Sequence, residues 1–268
     1  MSKINISFAG AGRVAMALCQ GLSDSGFKID RIASPSEPGG SLLAGRCNAL
    51  WSPELIFPDS TKLIIVAVPD HSLKHVLKDI KCNPDTIVVH TAGSYGLDIF
   101  PGHLKNRGVF YPLQTFSHDR KISFTDLPFL LEASDDKSLK FLASIATSLG
   151  GKIYYAGYES RKMLHLAAVF ACNFTNHMLT LGKSISSKAG FDFDILAPLI
   201  KETIEKAILT GPENSQTGPA VRHDSNTIEK QLELLSFSPE MQGIYREITR
   251  SIMDYYRKVS GTSGEIQE

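Results

Sequence analysis

Leu63-Ile64-Ile65-Val66-Ala67-Val68 places six apolar side chains in a row. An alternating strand offers one face to water, but a run of this kind offers none. It needs cover on both faces, which is the situation of a strand inside a parallel sheet flanked by helices. The rest of the first half agrees with that demand. Ile4 to Ala9 alternates apolar and polar residues, and helical spacing follows in Val14, Ala15, Ala17, Leu18 and Leu22 up to Gly26. Strands are expected at 28–33, 48–51, 62–68, 86–90, 108–111, 128–132 and 152–155. Between them lie a helix carrying Leu73, Val76, Leu77 and Ile80, which Asp70 is placed to cap, and a helix over 135–149. Repeated strand–helix alternation predicts an α/β fold with a doubly wound, mainly parallel sheet.

After about Gly157 strand patterns fade and long helical ones take over, at 159–188, 194–209, 225–235 and 239–258. The 268 residues suit two modest domains at roughly 150 residues each. The expected boundaries are 1–156 for the sheet domain and 157–268 for an all-helical domain. Lys+Arg and Asp+Glu both number 28, so the net charge is zero. That balance argues against a partner bound by phosphate neutralisation, whether nucleic acid or an anionic membrane surface. The four cysteines, Cys19, Cys47, Cys82 and Cys172, form no CxxC pair and suit a reducing cytoplasm. The longest apolar stretch, Met163 to Cys172, is broken by His165 and falls short of the ~20 residues of a membrane span.

The first chemical signal is Gly10-Ala11-Gly12-Arg13-Val14-Ala15, a GxGxxA turn set directly between a strand and a helix. Gly10 permits the tight turn, Gly12 lets backbone approach a pyrophosphate, and Ala15 allows close helix–strand packing. The alternative is a tight structural turn. NAD binders usually end the second strand with Asp or Glu for the ribose 2′-hydroxyl. This chain has Ser34-Pro35-Ser36 there, with Arg31 and Arg46 as cations that can lie near, so NADP is favoured over NAD. The same serines can instead shape a turn before Pro38-Gly39-Gly40. Ala67-Val68-Pro69 leaves the fourth strand at its carboxyl end, where ligands of such sheets lie. His90 leaves the next strand at the same edge and is a candidate for substrate contact or for closing its own strand end.

His165 sits in an otherwise apolar helical stretch. At 100° per residue, His165, Cys172 and Asn176 fall within about 20° of one line, and Asn173 stands about 80° away. This helix is expected to show a polar stripe, with His165 as acid–base group or as a satisfied core histidine. Gln114, Asn176 and Arg222 are candidates for substrate contact, Arg222 as a clamp for an anion or as partner of Asp224, which can also cap the next helix. His71 and His75 lack a third ligand at suggestive spacing, so no metal site is expected.

Read together, the glycine turn, Ala67-Val68-Pro69-Asp70, His90-Thr91-Ala92-Gly93-Ser94, Tyr111 to Phe116, His165 to Phe174 and Thr217 to Asp224 carry a resemblance. The chain resembles an uncharacterised bacterial family of two-domain, Rossmann-like proteins provisionally assigned as NADP oxidoreductases. It is more distantly similar to pyrroline-5-carboxylate reductase, ketopantoate reductase and the 6-phosphogluconate/β-hydroxyacid dehydrogenases. The resemblance implies an N-terminal Rossmann domain binding NADP through Gly10, Ala11, Gly12, Arg13, Val14, Ser34, Ser36, Ala67, Val68 and Pro69. It implies a small carbonyl or imine substrate in an interdomain cleft, near His165 and Asn173, and a homodimer through the helical domain. One departure stands out. The β-hydroxyacid dehydrogenases carry a catalytic Lys four residues before an Asn, and aligning that Asn with Asn173 puts Val169 at the Lys position. A non-catalytic nucleotide-binding or redox-sensing protein is therefore the alternative. S-adenosylmethionine methyltransferases also use a glycine-rich turn, but the helical second half and the acid-free second strand tip count against them.

Overall fold

The computed structural model describes residues 4–117 and 120–262. The chain divides into two compact units, 1–173 and 174–268. The first unit is built on an eight-stranded sheet in the order β3-β2-β1-β4-β5-β6-β7-β8. The strands are β1 (Asn5–Ala9), β2 (Lys28–Ala33), β3 (Leu50–Ser52), β4 (Leu63–Val66), β5 (Ile87–His90), β6 (Arg107–Pro112), β7 (Pro128–Ala133) and β8 (Lys152–Tyr155). Strands β1 to β6 pair in parallel, β7 runs antiparallel to β6, and β8 is parallel to β7. The helices of this unit are α1 (Arg13–Asp24), α2 (Glu37–Arg46), α3 (Asp70–Asp79), α4 (Asp136–Ser148) and α5 (Tyr158–Ala168).

The apolar run of the fourth strand is covered as its composition demands. Leu63 and Ile65 enter a core cluster shared with α1, α2 and α4, while Ile64 and Val66 enter the opposite cluster, shared with α3. All four residues are buried, and each face of the strand contributes to a different layer of core. Helices on both sides therefore clamp one sheet, and the carboxyl ends of β1, β4, β5 and β6 meet along one edge.

Local chemistry departs from the simple sequence patterns at two points. Glu37–Arg46 is a helix that begins directly after the Ser34–Ser36 segment, where the sequence pattern marks none. Proline within the first helical positions lacks only an N–H that would have no partner there. Gly40 is demanded from outside the helix, because a Cβ there would stand 2.3 Å from the Trp51 indole. Asp70 is the first residue of α3 and not its cap; Pro69 takes the N-cap position and no side chain caps the helix.

The expected boundary at 156/157 falls between β8 and α5, whereas the compact units divide at 173/174. Helix α5 accordingly goes with the sheet. Its anchor is Arg161, whose side chain is wholly buried. The guanidinium donates to Glu132 Oε2 on β7 at 2.7 Å, to the Ala156 carbonyl at 3.0 Å and to the Tyr95 carbonyl at 2.5 Å. After Ala168 the helix widens into a π turn, Val169–Phe174.

The second unit is helical. Helices α6 (Thr175–Lys188), α7 (Ala197–Thr210), α8 (Pro212–Ser215), α9 (Ser225–Leu234) and α10 (Pro239–Thr262) are joined by short loops. Asp224 caps α9, accepting from the Thr227 amide at 3.1 Å and the Thr227 hydroxyl at 2.7 Å. Among the described residues of this unit only Ala220 and Leu235 are buried hydrophobics. Leu199, Ile208, Leu209 and Leu234 are each more than half exposed. No helix among the described residues is long and apolar enough to cross a membrane.

Candidate active site

Gly10 closes the turn after β1 with φ +107°, donating its amide to the Ala33 carbonyl at 2.8 Å. A Cβ on Gly10 would lie 2.3 Å from the Ala67 carbonyl oxygen, so the turn packs backbone to backbone against the exit of β4. Gly12 is different. It is the N-cap of α1 with φ −77°, and nothing stands within 4 Å of where its Cβ would be. Helix α1 has no side-chain cap and no acid in its first turn. Its free N–H groups and partial positive charge are thus left for an anion approaching over Gly12, with the exposed Arg13 beside it. Open space at Gly12 and an uncapped helix end fit a dinucleotide pyrophosphate. Ala11 and Val14 flank the same turn, and Val68 and Pro69 follow β4 just beyond its contact with Gly10.

The serines after β2 have separate situations. Ser34 is buried; its hydroxyl donates to the Ser36 carbonyl at 3.1 Å, and its own carbonyl accepts from the Trp51 indole at 3.2 Å. Ser36 is exposed at the N-cap of α2, and its side chain makes no capping bond. Arg31 is turned away to the Ile56 carbonyl at 2.5 Å, while Arg46 reaches Met16 Sδ at 3.5 Å.

His90 is enclosed. Its Nδ1 accepts from the Ala92 amide at 3.2 Å, so Nε2 carries the proton and faces the Gly96 carbonyl at 3.4 Å. The ring stacks on Phe100 at 5.4 Å between centroids. Burial, helped by the Arg161 charge, brings its pKa down to about 4. Of the two roles open to it, the geometry is that of a residue closing its own strand end.

A small cavity of about 140 Å³ gathers Tyr111, Leu113, Gln114 and Thr115 from the end of β6 with His165, Ala168, Val169, Cys172 and Asn173. Tyr111 Oη lies 2.9 Å from His165 Nδ1, with the rings edge to face. Burial, and next the negative charge of Asp70, push the Tyr111 phenol up from its ordinary value, partly offset by Arg161. The His165 ring is seated on Gly93, where a Cβ would stand 2.9 Å from Cγ and 3.0 Å from Nδ1. Gln114 is exposed and folds back, accepting the Thr115 amide at 2.8 Å.

The π turn corrects the helical line drawn from the sequence. Each π residue advances by roughly 80° where an α residue advances 100°. Across Val169–Phe174 that difference brings Asn173 to within about 20° of His165, in the place the regular helix assigned to Asn176. Asn176 belongs to the second unit, where its carbonyl accepts the Thr180 hydroxyl at 3.1 Å. Arg222, also in that unit, is exposed next to the capping Asp224, whose carboxyl is held low by the Thr227 hydroxyl and amide and, less, by the Arg222 charge. Tyr111, Gly93 and Arg161 are absent from the site drawn from sequence. A tyrosine near the carboxyl end of a strand, a glycine in the adjacent strand exit and an arginine on the helix face beside an apolar stretch were the available signals. Among the described residues no cluster of three or more His, Cys, Asp or Glu is arranged to hold a metal.

Comparison with known proteins places these features in context. A Rossmann-like domain model matches residues 1–115, and the model of a domain of unknown function, DUF2520, matches residues 127–252. A solved structure from Bacteroides fragilis, provisionally named an NADP oxidoreductase, is 38% identical with a TM-score of 0.87, covering 94% of this chain and 98% of its own. A solved protein from Thermotoga maritima is 26% identical with a TM-score of 0.67, covering 94% of this chain and 99% of its own. Glycerol-3-phosphate dehydrogenase [NAD(P)+] of Photorhabdus laumondii is 24% identical over 255 residues, 84% of this chain and 69% of that protein.

Proposed function

This chain belongs to the Rossmann-like plus DUF2520 family, and on that premise we propose that it is an NADP-dependent oxidoreductase acting on a small polar carbonyl or imine compound. The observation that carries the reading is the glycine turn: Gly10 packed against the β4 exit, Gly12 open, and α1 uncapped and free of acid. Gly10 to Val14 hold the pyrophosphate, Ala67, Val68 and Pro69 line the nicotinamide side, and exposed Ser36 serves the 2′-phosphate. The name of the 38% identical relative supports NADP over NAD.

The bound dinucleotide supplies a hydride to the carbon of the C=O or C=N bond. As the double-bond electron pair passes to the heteroatom, His165 donates a proton to it from Nε2, the ring nitrogen not engaged by Tyr111. Asn173 and Gln114 hold the polar substrate in the same cavity. Val169 at the position of a catalytic lysine favours a second reading, a protein that binds NADP without turnover. The assembly is a homodimer through the helical unit, a reading supported by how little that unit buries and by the apolar side chains it exposes.

Calorimetric titration with NADPH and NADH tests the cofactor. NADPH is expected to bind at least tenfold tighter, about 1.4 kcal/mol. If neither nucleotide binds, the oxidoreductase reading fails. Turnover across a panel of carbonyl and imine compounds, abolished in His165→Ala, separates catalysis from binding alone.

A further inference from the structure

We propose that Tyr111 is the positioning residue of this site, donating its phenol proton to His165 Nδ1 and so fixing the imidazole as the Nε2–H tautomer. The inference rests on the reading of His165 as the proton donor. Two residues meet the Nδ1 edge of the ring, Tyr111 and Gly93. Tyr111 Oη is 2.9 Å from Nδ1 with the two rings edge to face, and Gly93 packs so closely on the same side that a Cβ there would stand 3.0 Å from Nδ1. Nε2 is then the nitrogen left to the cavity shared with Gln114, Asn173 and Cys172. Helix α5, which carries His165, is fixed four residues earlier by the buried Arg161, so the ring does not depend on a mobile support.

The direction of the bond follows from which partner is the acid. The phenol is half-buried and close enough to Asp70 for that charge to oppose ionisation, so it stays protonated and donates. A histidine alone at the site would sample both tautomers and, after giving up Nε2–H, would be left as a high-energy imidazolate. With Tyr111 in place the proton count closes. The substrate heteroatom takes the Nε2 proton, Nδ1 takes the phenol proton, and the imidazole stays neutral. The site resets when the phenolate takes back the Nδ1 proton and Nε2 is reprotonated by water, which restores the phenol and the Nε2–H tautomer. An alkoxide is a stronger base than a phenolate, so for a carbonyl substrate the net transfer runs downhill.

The tautomer is measurable without knowing the substrate. The full-length protein, labelled with ¹⁵N-histidine, is studied by two-bond ¹H–¹⁵N correlation at pH 8, with His165 assigned by its loss in His165→Gln. The expected result is a single Nε2–H tautomer for His165, relaxing in Tyr111→Phe to the mixture of an unrestrained imidazole. An Nδ1–H tautomer in the wild type, or no change in Tyr111→Phe, overturns the proposal. Tyr111→Phe keeps the ring, and its thermal transition, measured alongside, is expected to match the wild type. NADPH titration of the same samples keeps the two readings apart. Tyr111→Phe is expected to bind NADPH within twofold of the wild type, and loss of binding in the wild type would fail the cofactor reading while the tautomer result stood.

Discussion

Two glycines two residues apart should respond to the same methyl group in opposite ways. In Gly10→Ala the new Cβ meets the Ala67 carbonyl oxygen at 2.3 Å, and the backbone sits at φ +107°, where side chains are strained. Backbone strain costs about 1–3 kcal/mol and forced overpacking about as much again. A loss of about 4 kcal/mol is therefore expected, a large share of the ~5–15 kcal/mol that holds a typical protein folded. With a urea slope of about 3 kcal/mol per M, the unfolding midpoint should fall by roughly 1 M. In Gly12→Ala the Cβ enters open space at an ordinary φ of −77°. The poorer N-cap and the stiffer unfolded chain nearly offset, leaving stability within about 1 kcal/mol of the wild type. The methyl then stands where backbone should approach the pyrophosphate, and NADPH affinity should drop at least tenfold, about 1.4 kcal/mol. Urea unfolding and NADPH fluorescence titration on both variants decide the matter. The reasoning is refuted if Gly10→Ala unfolds at the wild-type midpoint, or if Gly12→Ala binds NADPH as the wild type does.

Other expectations follow from the same structure. His90, held near pKa 4 by burial against an ordinary value of 6.5, binds fewer protons folded than unfolded between those values. Its contribution is complete above pH 6.5 and is lost as pH falls toward 4, amounting to about 3 kcal/mol; His90→Gln should flatten that part of the stability–pH profile measured by urea unfolding. Arg161→Met strips a buried cation from Glu132 and two carbonyls and should cost about 3–5 kcal/mol, read as a lowered urea midpoint. Gly93→Ala drives a methyl to within 3.0 Å of the His165 ring and should shift the His165 resonances, with a loss of about 1–3 kcal/mol. Light scattering should give twice the chain mass, and Leu209→Asp should lower it; a wild-type monomer at micromolar concentration would count against the homodimer.

Much of the first unit was legible because its signals are local. The run at 63–68 demanded two covered faces, and the glycine turn lay between a clear strand and a clear helix. What was missed depended on distant partners. Helix α2 carries no helical pattern of its own, since Pro38, Gly39 and Gly40 are poor helix formers, and Gly40 answers to Trp51 on β3. The reversal of β7 against β6 leaves no mark on either strand's composition. At the site, His165 and Asn173 were visible as polar residues in an apolar helix, and Gln114 as a strand-end polar group. The partnership of Tyr111 with His165 was not visible, since it spans 54 residues and depends on a glycine in a third segment. Position at the sheet edge leaves both roles of His90 open, and its closure by Ala92, Gly96 and Phe100 exists only in the folded loop.

The π turn has a consequence at the level of insertions and deletions. Asn173 stands eight residues after His165, yet it faces as the seventh residue of an uninterrupted α-helix would. The turn is in effect one extra residue accommodated without turning the asparagine away from the histidine. A chain shortened by one at Cys172 should close the turn into regular helix and keep the same pair of side chains facing. In descendants of the same gene, a histidine and asparagine spaced by seven and a pair spaced by eight would then be one site written in two lengths, and an alignment that forces them into a single spacing would hide it.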